Sequence, residues 1–239
     1  MKQIKNSLRA VDKIFASVGS WVTSKTTDYT TEKRPDNSRQ KLLVDCTYLY
    51  STNINTGIQR VVRNIIRNLE PYTAKKNIEL CPVALINGTL IKLDTAQIIL
   101  FQKQTTWHAL ATRIKRKIQL YFRSFMPTEK LYQGDIVLML DSSWYLPVWS
   151  SLHYAKTRGA KIIAVTYDLI PISHPQFCDD RLQEVFDRWY RDSLPYFDGY
   201  LSISKSVMYD LKAYLKNQNV PIYRYQFDSF QLGSNFKQE

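Results

Sequence analysis

Three aspartates each follow a short apolar run of the sequence, at points where buried strands are expected to end. They are Asp45, Asp141 and Asp168. In a parallel sheet the carboxyl ends of the strands lie at one edge, and ligands bind there. A carboxylate at this edge can orient a substrate hydroxyl, act as a general base, or only cap the loop that follows it. We expect all three to emerge at this edge, and Asp168 is the candidate catalytic residue.

Gly57 lies between a polar loop and a segment in which apolar residues recur at helical spacing. The apolar residues of that segment are Ile58, Val61, Val62, Ile65, Ile66 and Leu69. Backbone N–H groups at such a helix start lack partners and carry partial positive charge, which suits a phosphate or a carboxylate. A glycine there can equally serve only to turn the chain sharply, and the residue alone favours neither interpretation.

The segment 141–144 combines an acid, two hydroxyls and an aromatic ring. Asp141, Ser142 and Ser143 can form hydrogen bonds with a polyhydroxylated ligand, and the Trp144 ring can stack on it. This combination is typical of carbohydrate recognition. Trp144 can also be a core or rim residue.

Strand and helix patterns alternate from residue 41 onward. We predict strands at 41–46, 78–86, 135–140, 161–166, 199–203 and 222–226, and helices at 58–69, 147–158, 181–193 and 204–216. Asn87-Gly88 predicts one antiparallel hairpin within this pattern. Near-continuous apolar strands that alternate with helices indicate an α/β fold, with a Rossmann-like parallel sheet covered by helices on both faces.

Two basic amphipathic segments stand apart from this pattern. The amphipathic pattern of residues 1–22 predicts a helix. Its apolar face either packs on the domain or on a partner chain, or it inserts at an anionic membrane surface. Residues 23–40 are polar and predict a linker, so the globular part is expected at 41–239. Residues 107–125 predict a second basic and aromatic helix, which can dock on a bilayer or an anionic lipid acceptor, or pack as a solvated helix on the sheet.

Charge and residue usage limit the classes of partner and compartment. The sequence has 33 Lys and Arg against 21 Asp and Glu, a net charge of +12, which favours anionic partners. Such partners include phospholipid headgroups, nucleotide sugars, lipid-linked pyrophosphates and nucleic acid. The widely spaced Cys46, Cys81 and Cys178 argue against a disulfide framework and for a reducing compartment.

Neither a metal site nor a membrane span is expected. The three histidines are not paired with one another or with the cysteines, so we predict no metal and no other cofactor. No segment has the apolar length of a transmembrane helix or the core of a signal peptide. We therefore expect a cytoplasmic protein that is peripheral at the inner face of the cytoplasmic membrane.

Three segments resemble one family of enzymes. Asp45-Cys46-Thr47, together with the run Thr-Gly-Ile-Gln-Arg-Val-Val-Arg-Asn at 56–64, resembles the amino-terminal end of retaining glycosyltransferases of the GT-B fold. These enzymes build bacterial surface polysaccharides such as O-antigen and capsule. Residues 159–172 resemble the family's core strand and its Asp-Leu-Ile-Pro loop, and residues 197–211 resemble its unit of aspartate, glycine, strand, serine and helix. The resemblance covers residues 41–235.

The resemblance implies the acceptor-side, amino-terminal domain of a transferase whose donor-binding C-terminal domain is absent from this chain. Such an enzyme transfers a sugar from a nucleotide-sugar donor to a glycan or lipid-linked acceptor. The chain alone is expected to be incomplete, because the groups that hold the donor diphosphate belong mostly to the second domain. A separate C-terminal domain is therefore an expected partner.

The expected site residues follow from the same motifs. The catalytic candidate is Asp168, and the substrate-binding candidates are Gly57, Ile58, Gln59, Arg60, Asp141, Trp144, Tyr167 and Ser204. Tyr167 stands where many relatives have a histidine, and a phenol is a poor base at neutral pH. Ser204 most simply caps the helix that follows it. No Asp-x-Asp motif is present, which argues against a metal-dependent transferase of the other common fold.

A different class of function competes with the transferase. The two basic amphipathic segments also fit a non-catalytic module that binds a membrane or nucleic acid. The sequence contains no recognition-helix, zinc-finger or RNA-stacking motif, so we expect no nucleic-acid partner.

Overall fold

The computed structural model describes residues 32–52, 54–100, 106–126 and 128–231. The described residues form seven strands: β1 (Gln40–Asp45), β2 (Ile78–Ile86), β3 (Thr89–Lys92), β4 (Ile136–Met139), β5 (Lys161–Thr166), β6 (Gly199–Ser202) and β7 (Gln226–Ser229). They form one sheet in the order β3-β2-β1-β4-β5-β6-β7. β1 pairs in parallel with β2 and β4, and β6 does so with β5 and β7, whereas β2 and β3 are antiparallel. The predicted α/β class with a mostly parallel sheet is confirmed.

The helices of the described residues fall largely between the strands. They are α1 (Thr47–Thr52), α2 (Gly57–Lys75), α3 (Thr95–Ile99), α4 (Thr106–Arg123), α5 (Trp149–Thr157), α6 (Ile170–Ser173), α7 (Asp180–Ser193) and α8 (Lys205–Asn217). Short 3-10 turns occur at Ser143–Tyr145, Pro175–Phe177 and Ile222–Arg224. Among the described residues, no helix combines the length and the apolarity needed to cross a membrane.

The chain divides into two compact units, which meet in sequence within β5. In the described residues, the first comprises 32–162 and the second 163–231. The first has an aliphatic core, with Leu42, Leu43, Leu49, Ile66, Leu69, Leu85 and Leu90 fully buried. The core of the second is aromatic. Its centre is Tyr200, which stacks on Phe227 with the ring centroids 5.6 Å apart.

The predicted strands and helices mostly match the structure to within a few residues, with three corrections. The last strand is β7 at Gln226–Ser229, because Ile222–Arg224 form a 3-10 turn after Pro221. Helix α2 does not stop near Leu69 but continues through Pro71, which is exposed. At an exposed position water can satisfy the carbonyl that proline leaves without a donor. The polar loop expected after β1 contains the short helix α1.

The hairpin predicted at Asn87-Gly88 is confirmed. β2 and β3 pair antiparallel with Ile86 opposite Thr89, and the two turn residues have φ of 50° and 80°. Two central residues with positive φ match the twist of the flanking strands.

The predicted helix at 1–22 lies outside the described residues, and of the segment 23–40 the structure describes 32–40. Residues of this segment form ion pairs and hydrogen bonds with the rest of the first unit, and Glu32 pairs with Arg158 at 3.4 Å. The Arg34 guanidinium forms an ion pair with the buried Asp135, and the Gln40 side chain donates to the Gly134 carbonyl at 2.5 Å. Gln40 is also the first residue of β1.

Candidate functional site

Asp45 is the last residue of β1, and its side chain is fully buried. Its Oδ1 accepts hydrogen bonds from the backbone N–H of Thr47, at 2.9 Å, and from the Thr47 hydroxyl. Its Oδ2 accepts a bond from the Ser143 hydroxyl. The Thr47 hydroxyl in turn accepts from the Leu85 N–H of β2 at 2.9 Å. The Asp-x-Thr motif therefore ties the ends of β1 and β2 to the first residue of α1.

Asp141 follows β4, the parallel neighbour of β1, and is also buried. Its Oδ2 accepts from the Leu49 N–H of α1 at 2.6 Å. Its Oδ1 accepts from the Ser142 N–H at 2.8 Å and from the Gln59 side-chain amide at 3.3 Å. Amides at the start of a helix lack intrahelical partners, and here Asp45 and Asp141 accept from two amides of α1.

Gln59 connects this pair of acids to the N-terminal turn of α2. Its side-chain amide donates to Asp141 and, at 3.1 Å, to the Ser142 hydroxyl, while its carbonyl accepts from the Thr56 hydroxyl. Thr56 is the N-cap of α2, but its side chain accepts no bond from the helix amides. We call Asp45, Thr47, Gln59, Asp141, Ser142 and Ser143 the acid network.

Burial has a strong electrostatic effect on both acids of the network. Burial raises the pKa of the Asp45 carboxyl, and the bonds from Ser143 and Thr47 oppose that shift. Burial, followed by the charge of Asp45, raises the pKa of Asp141 to about 7. Two acids that lie close together in a dry site do not both ionise readily. An acid with such a pKa can gain or lose a proton near neutral pH, a property shared by many catalytic carboxyls.

Two further buried groups lie beside the acid network. Burial and the nearby acids raise the pKa of the Cys46 thiol well above its ordinary value, so this cysteine stays protonated and unreactive. The Arg63 guanidinium donates to the Asn55 side chain at 2.9 Å and to the Ile54 carbonyl. Arg63 thereby anchors the loop that leads into α2; burial lowers its pKa, and the charge of Asp141 opposes that shift.

Gly57 is the exposed first residue of α2, and a methyl group added to it would meet no atom within 4 Å. Its φ is not positive. The interpretation that glycine is needed here to turn the chain is therefore wrong, because any residue can adopt this backbone. A side chain at this position would project into open space.

The other candidates of the first unit occupy different environments. Gln59 is buried in the acid network, Ile58 is half-buried and Arg60 is exposed. The structure therefore places Gln59 and Asp141 together and leaves Arg60 at the surface. Trp144 is half-buried beside Tyr145, with the ring centroids 6.3 Å apart.

Sequence reasoning missed two aromatic residues next to the network. Tyr48 of α1 and Tyr145 lie with ring centroids 6.3 Å apart, and Tyr145 is exposed. With Trp144 they form what we call the aromatic rim. Two of the three directly adjoin a network residue in sequence: Tyr48 follows Thr47, and Trp144 follows Ser143. Tyr145 is the next residue after Trp144. The contact between α1 and the 3-10 turn was not visible in the sequence because the two segments are far apart along it.

The remaining candidates belong to the second unit. Asp168 follows β5, is half-buried, and accepts from the Ile170 N–H at 3.1 Å, which is the geometry of a loop cap. Tyr167 is buried. Ser204 is the N-cap of α8 and accepts from the Val207 N–H at 3.2 Å, so the predicted cap is confirmed.

Within the described residues, no group of three or more His, Cys, Asp or Glu side chains is placed to hold a metal ion. Comparison of the chain with protein-family models, with curated proteins and with solved structures returns no match.

Proposed function

We propose that this chain is the acceptor-side, Rossmann-like domain of a retaining GT-B-type glycosyltransferase that acts in the synthesis of a bacterial surface polysaccharide. The observation that carries the proposal is the aromatic rim of Tyr48, Trp144 and Tyr145 beside the acid network. Sugars present polar hydroxyls around an apolar ring face, so they are recognised by carboxylates and hydroxyls together with aromatic plates.

The arrangement of α2 supports the same function. Its N-terminal turn is held against the acid network by Gln59, and the side-chain position of Gly57 faces open space. Amides at a helix N-terminus attract phosphate groups, and both nucleotide sugars and lipid-linked acceptors carry phosphates. The proposed site thus combines a sugar-binding rim with a phosphate-binding helix end within the first unit.

Catalysis requires more than this surface. Asp168 is proposed to contact the reacting sugar, and Tyr167 and Ser204 to lie near it, but these roles rest on the motifs alone. We propose that a donor-binding domain supplies the charges that stabilise the leaving diphosphate, so that the chain by itself transfers sugar poorly. We also propose that the complete enzyme works at the inner face of the cytoplasmic membrane.

Saturation-transfer NMR on the full chain tests sugar binding. The probes are GDP-mannose, UDP-glucose and the methyl glycosides of common hexoses. We expect transfer to sugar ring protons, and we expect its loss in Tyr145→Ala, which removes an exposed ring of the rim. The control Tyr223→Ala removes a more exposed ring, in the second unit, and should leave the spectra unchanged. Absence of transfer with every probe would contradict the proposal.

A further inference from the structure

Helix α4 exposes a continuous apolar face. Of the fourteen large apolar side chains that are exposed among the described residues, eight lie between residues 107 and 126. Their exposed fractions run from 47% for Leu110 to 80% for Trp107. The concentration in one helix and the turn that follows it distinguishes this surface from single exposed apolar residues, which are common on proteins.

The opposite face of α4 holds the helix to the first unit, largely through polar groups. Arg116 donates to the Tyr50 carbonyl at 3.2 Å and lies over the Tyr50 ring at 4.9 Å. Arg123 donates to the Lys92 carbonyl at 2.7 Å, and Leu120 is buried. An ordinary surface helix buries its apolar stripe and exposes its charges. α4 instead leaves its apolar stripe exposed, so the stripe is available to a partner.

The helical positions define the stripe. At about 100° per residue, six side chains of α4 fall within about 60° of one line along the helix, and the exposed Phe125 follows in the turn after the helix. The six are Trp107, Leu110, Ile114, Ile118, Tyr121 and Phe122. Lys115 and Lys117 lie about 80° to either side of that line, and both are exposed. Ammonium groups that flank an apolar stripe can reach lipid headgroups while their stems and the stripe enter the acyl region.

Charge decides between the possible occupants of this face. Residues 106–126 contain five Lys and Arg and no Asp or Glu, in a chain of net charge +12. A second copy of the chain would bring an equally basic helix to the face, and the segment at residues 2–13 is itself basic. An anionic lipid surface complements both the charge and the apolar stripe.

We propose that α4 is a membrane-docking helix, which lies in the surface of an anionic lipid bilayer with its apolar stripe in the acyl region and Lys115 and Lys117 at the headgroups. This proposal does not depend on the proposed transferase function. It selects one of the two alternatives that the sequence pattern of 107–125 left open.

Flotation of the full chain with vesicles tests the proposal. Vesicles of phosphatidylcholine with phosphatidylglycerol should bind the chain, and vesicles of phosphatidylcholine alone should bind it much more weakly. Ile114→Gln with Ile118→Gln should weaken binding at least about tenfold, because two side chains no longer enter the acyl region. Lys115→Gln with Lys117→Gln should weaken it about fivefold per lysine. Tyr209→Gln with Tyr223→Gln, two exposed rings of the second unit, should bind as the unaltered chain does.

Fluorescence supplies a measurement that does not require a destabilising variant. Lipids brominated in the acyl chains should quench tryptophan emission of the bound chain, and Trp107→Phe should remove most of that quenching. All α4 variants retain residues 1–31, so any loss of binding reports α4 itself. Unchanged binding by the Ile114 and Ile118 variant, or quenching that survives Trp107→Phe, would overturn the proposal. If the chain forms a dimer without lipid, and Ile114→Gln with Ile118→Gln dissociates that dimer, the face belongs to a second copy. That result would also overturn the proposal.

Discussion

The carboxyl of Asp141 experiences opposing influences. Three N–H groups donate to its oxygens and favour the charged form, whereas burial and the neighbouring Asp45 favour the protonated form. The raised pKa means that burial and the second acid together outweigh the hydrogen bonds. A buried acid of this kind makes the stability of the protein depend on pH.

We expect the free energy of unfolding to fall as the pH rises from the pKa of Asp141 in the unfolded chain to its pKa in the folded chain. An unfolded aspartate has a pKa of about 3.9, and the folded value is about 7. Between these values the folded state binds more protons, so the free energy of unfolding falls with increasing pH, by up to about 4 kcal/mol. Asp141→Asn removes this titration. The stability of the variant relative to the unaltered chain should therefore increase from pH about 4 to about 7.

Urea denaturation at several pH values measures this difference. Asp94→Asn is the control, because Asp94 is an exposed N-cap whose side chain accepts from the Ala96 N–H at 3.1 Å, and asparagine caps equally well. If the Asp141 and Asp94 variants show the same pH dependence, Asp141 is not the acid that titrates.

Two glycines should respond oppositely to alanine. Gly88 has a φ of 80°, so Gly88→Ala should lower the free energy of unfolding by about 1–2 kcal/mol. Gly57 has open space and no positive φ, so Gly57→Ala should leave stability unchanged or raise it by up to about 1 kcal/mol. Urea denaturation of both variants at one pH compares them directly. A comparable loss in Gly57→Ala would restore the sharp-turn interpretation of that residue.

Some site residues were accessible to sequence reasoning and others were not. Asp45 and Asp141 follow apolar strands, and that pattern correctly predicted their position at the carboxyl ends of β1 and β4. Gln59 looked like a substrate contact but is buried against Asp141, 82 residues away in the chain. Tyr48 and Tyr145 gave no signal, because a rim depends on which loops meet in space.

The helices differ in how far their own sequence determines them. α2 and α8 have apolar residues at helical spacing, and both were predicted. α1 was not predicted, because two of its backbone amides have acid side chains as partners. The Thr47 N–H donates to Asp45, and the Leu49 N–H donates to Asp141, which lies 92 residues away in the chain. The structure of so short a helix depends on tertiary contacts, since isolated helices of this length are unstable.

The N-cap of α8 offers a test at one of the predicted helices. Ser204→Ala removes the acceptor for the Val207 N–H and should lower the free energy of unfolding by about 1 kcal/mol. Ser204→Asp keeps an acceptor at the N-cap and should retain most of the stability. Thermal denaturation of the three proteins gives the comparison. If the alanine variant and the unaltered chain are equally stable, Ser204 does not stabilise α8 as a cap. A substrate contact would then be the favoured role.

The folded first unit begins on the N-terminal side of the predicted boundary at residue 41. Asp135 immediately precedes β4 and is fully buried. It accepts from the Lys41 N–H at 2.7 Å and the Tyr132 N–H at 2.8 Å, and it pairs with Arg34. A buried carboxylate that loses a charged partner keeps its desolvation cost without the compensating attraction. Arg34 should therefore raise the free energy of unfolding, although the sequence around it predicts a polar linker.

We expect a chain that starts at Lys41 to be less stable than one that starts at Glu32. The loss should be about 1–3 kcal/mol, because the shorter chain lacks both Arg34 and Gln40, the first residue of β1. Arg34→Met in the full chain should reproduce most of this loss, since it removes the ion pair and keeps the length of the side chain. Lys33→Met is the matched control, as Lys33 is exposed and adjacent. If both truncated chains unfold at the same urea concentration, the Arg34–Asp135 pair adds nothing and residue 41 is the correct boundary.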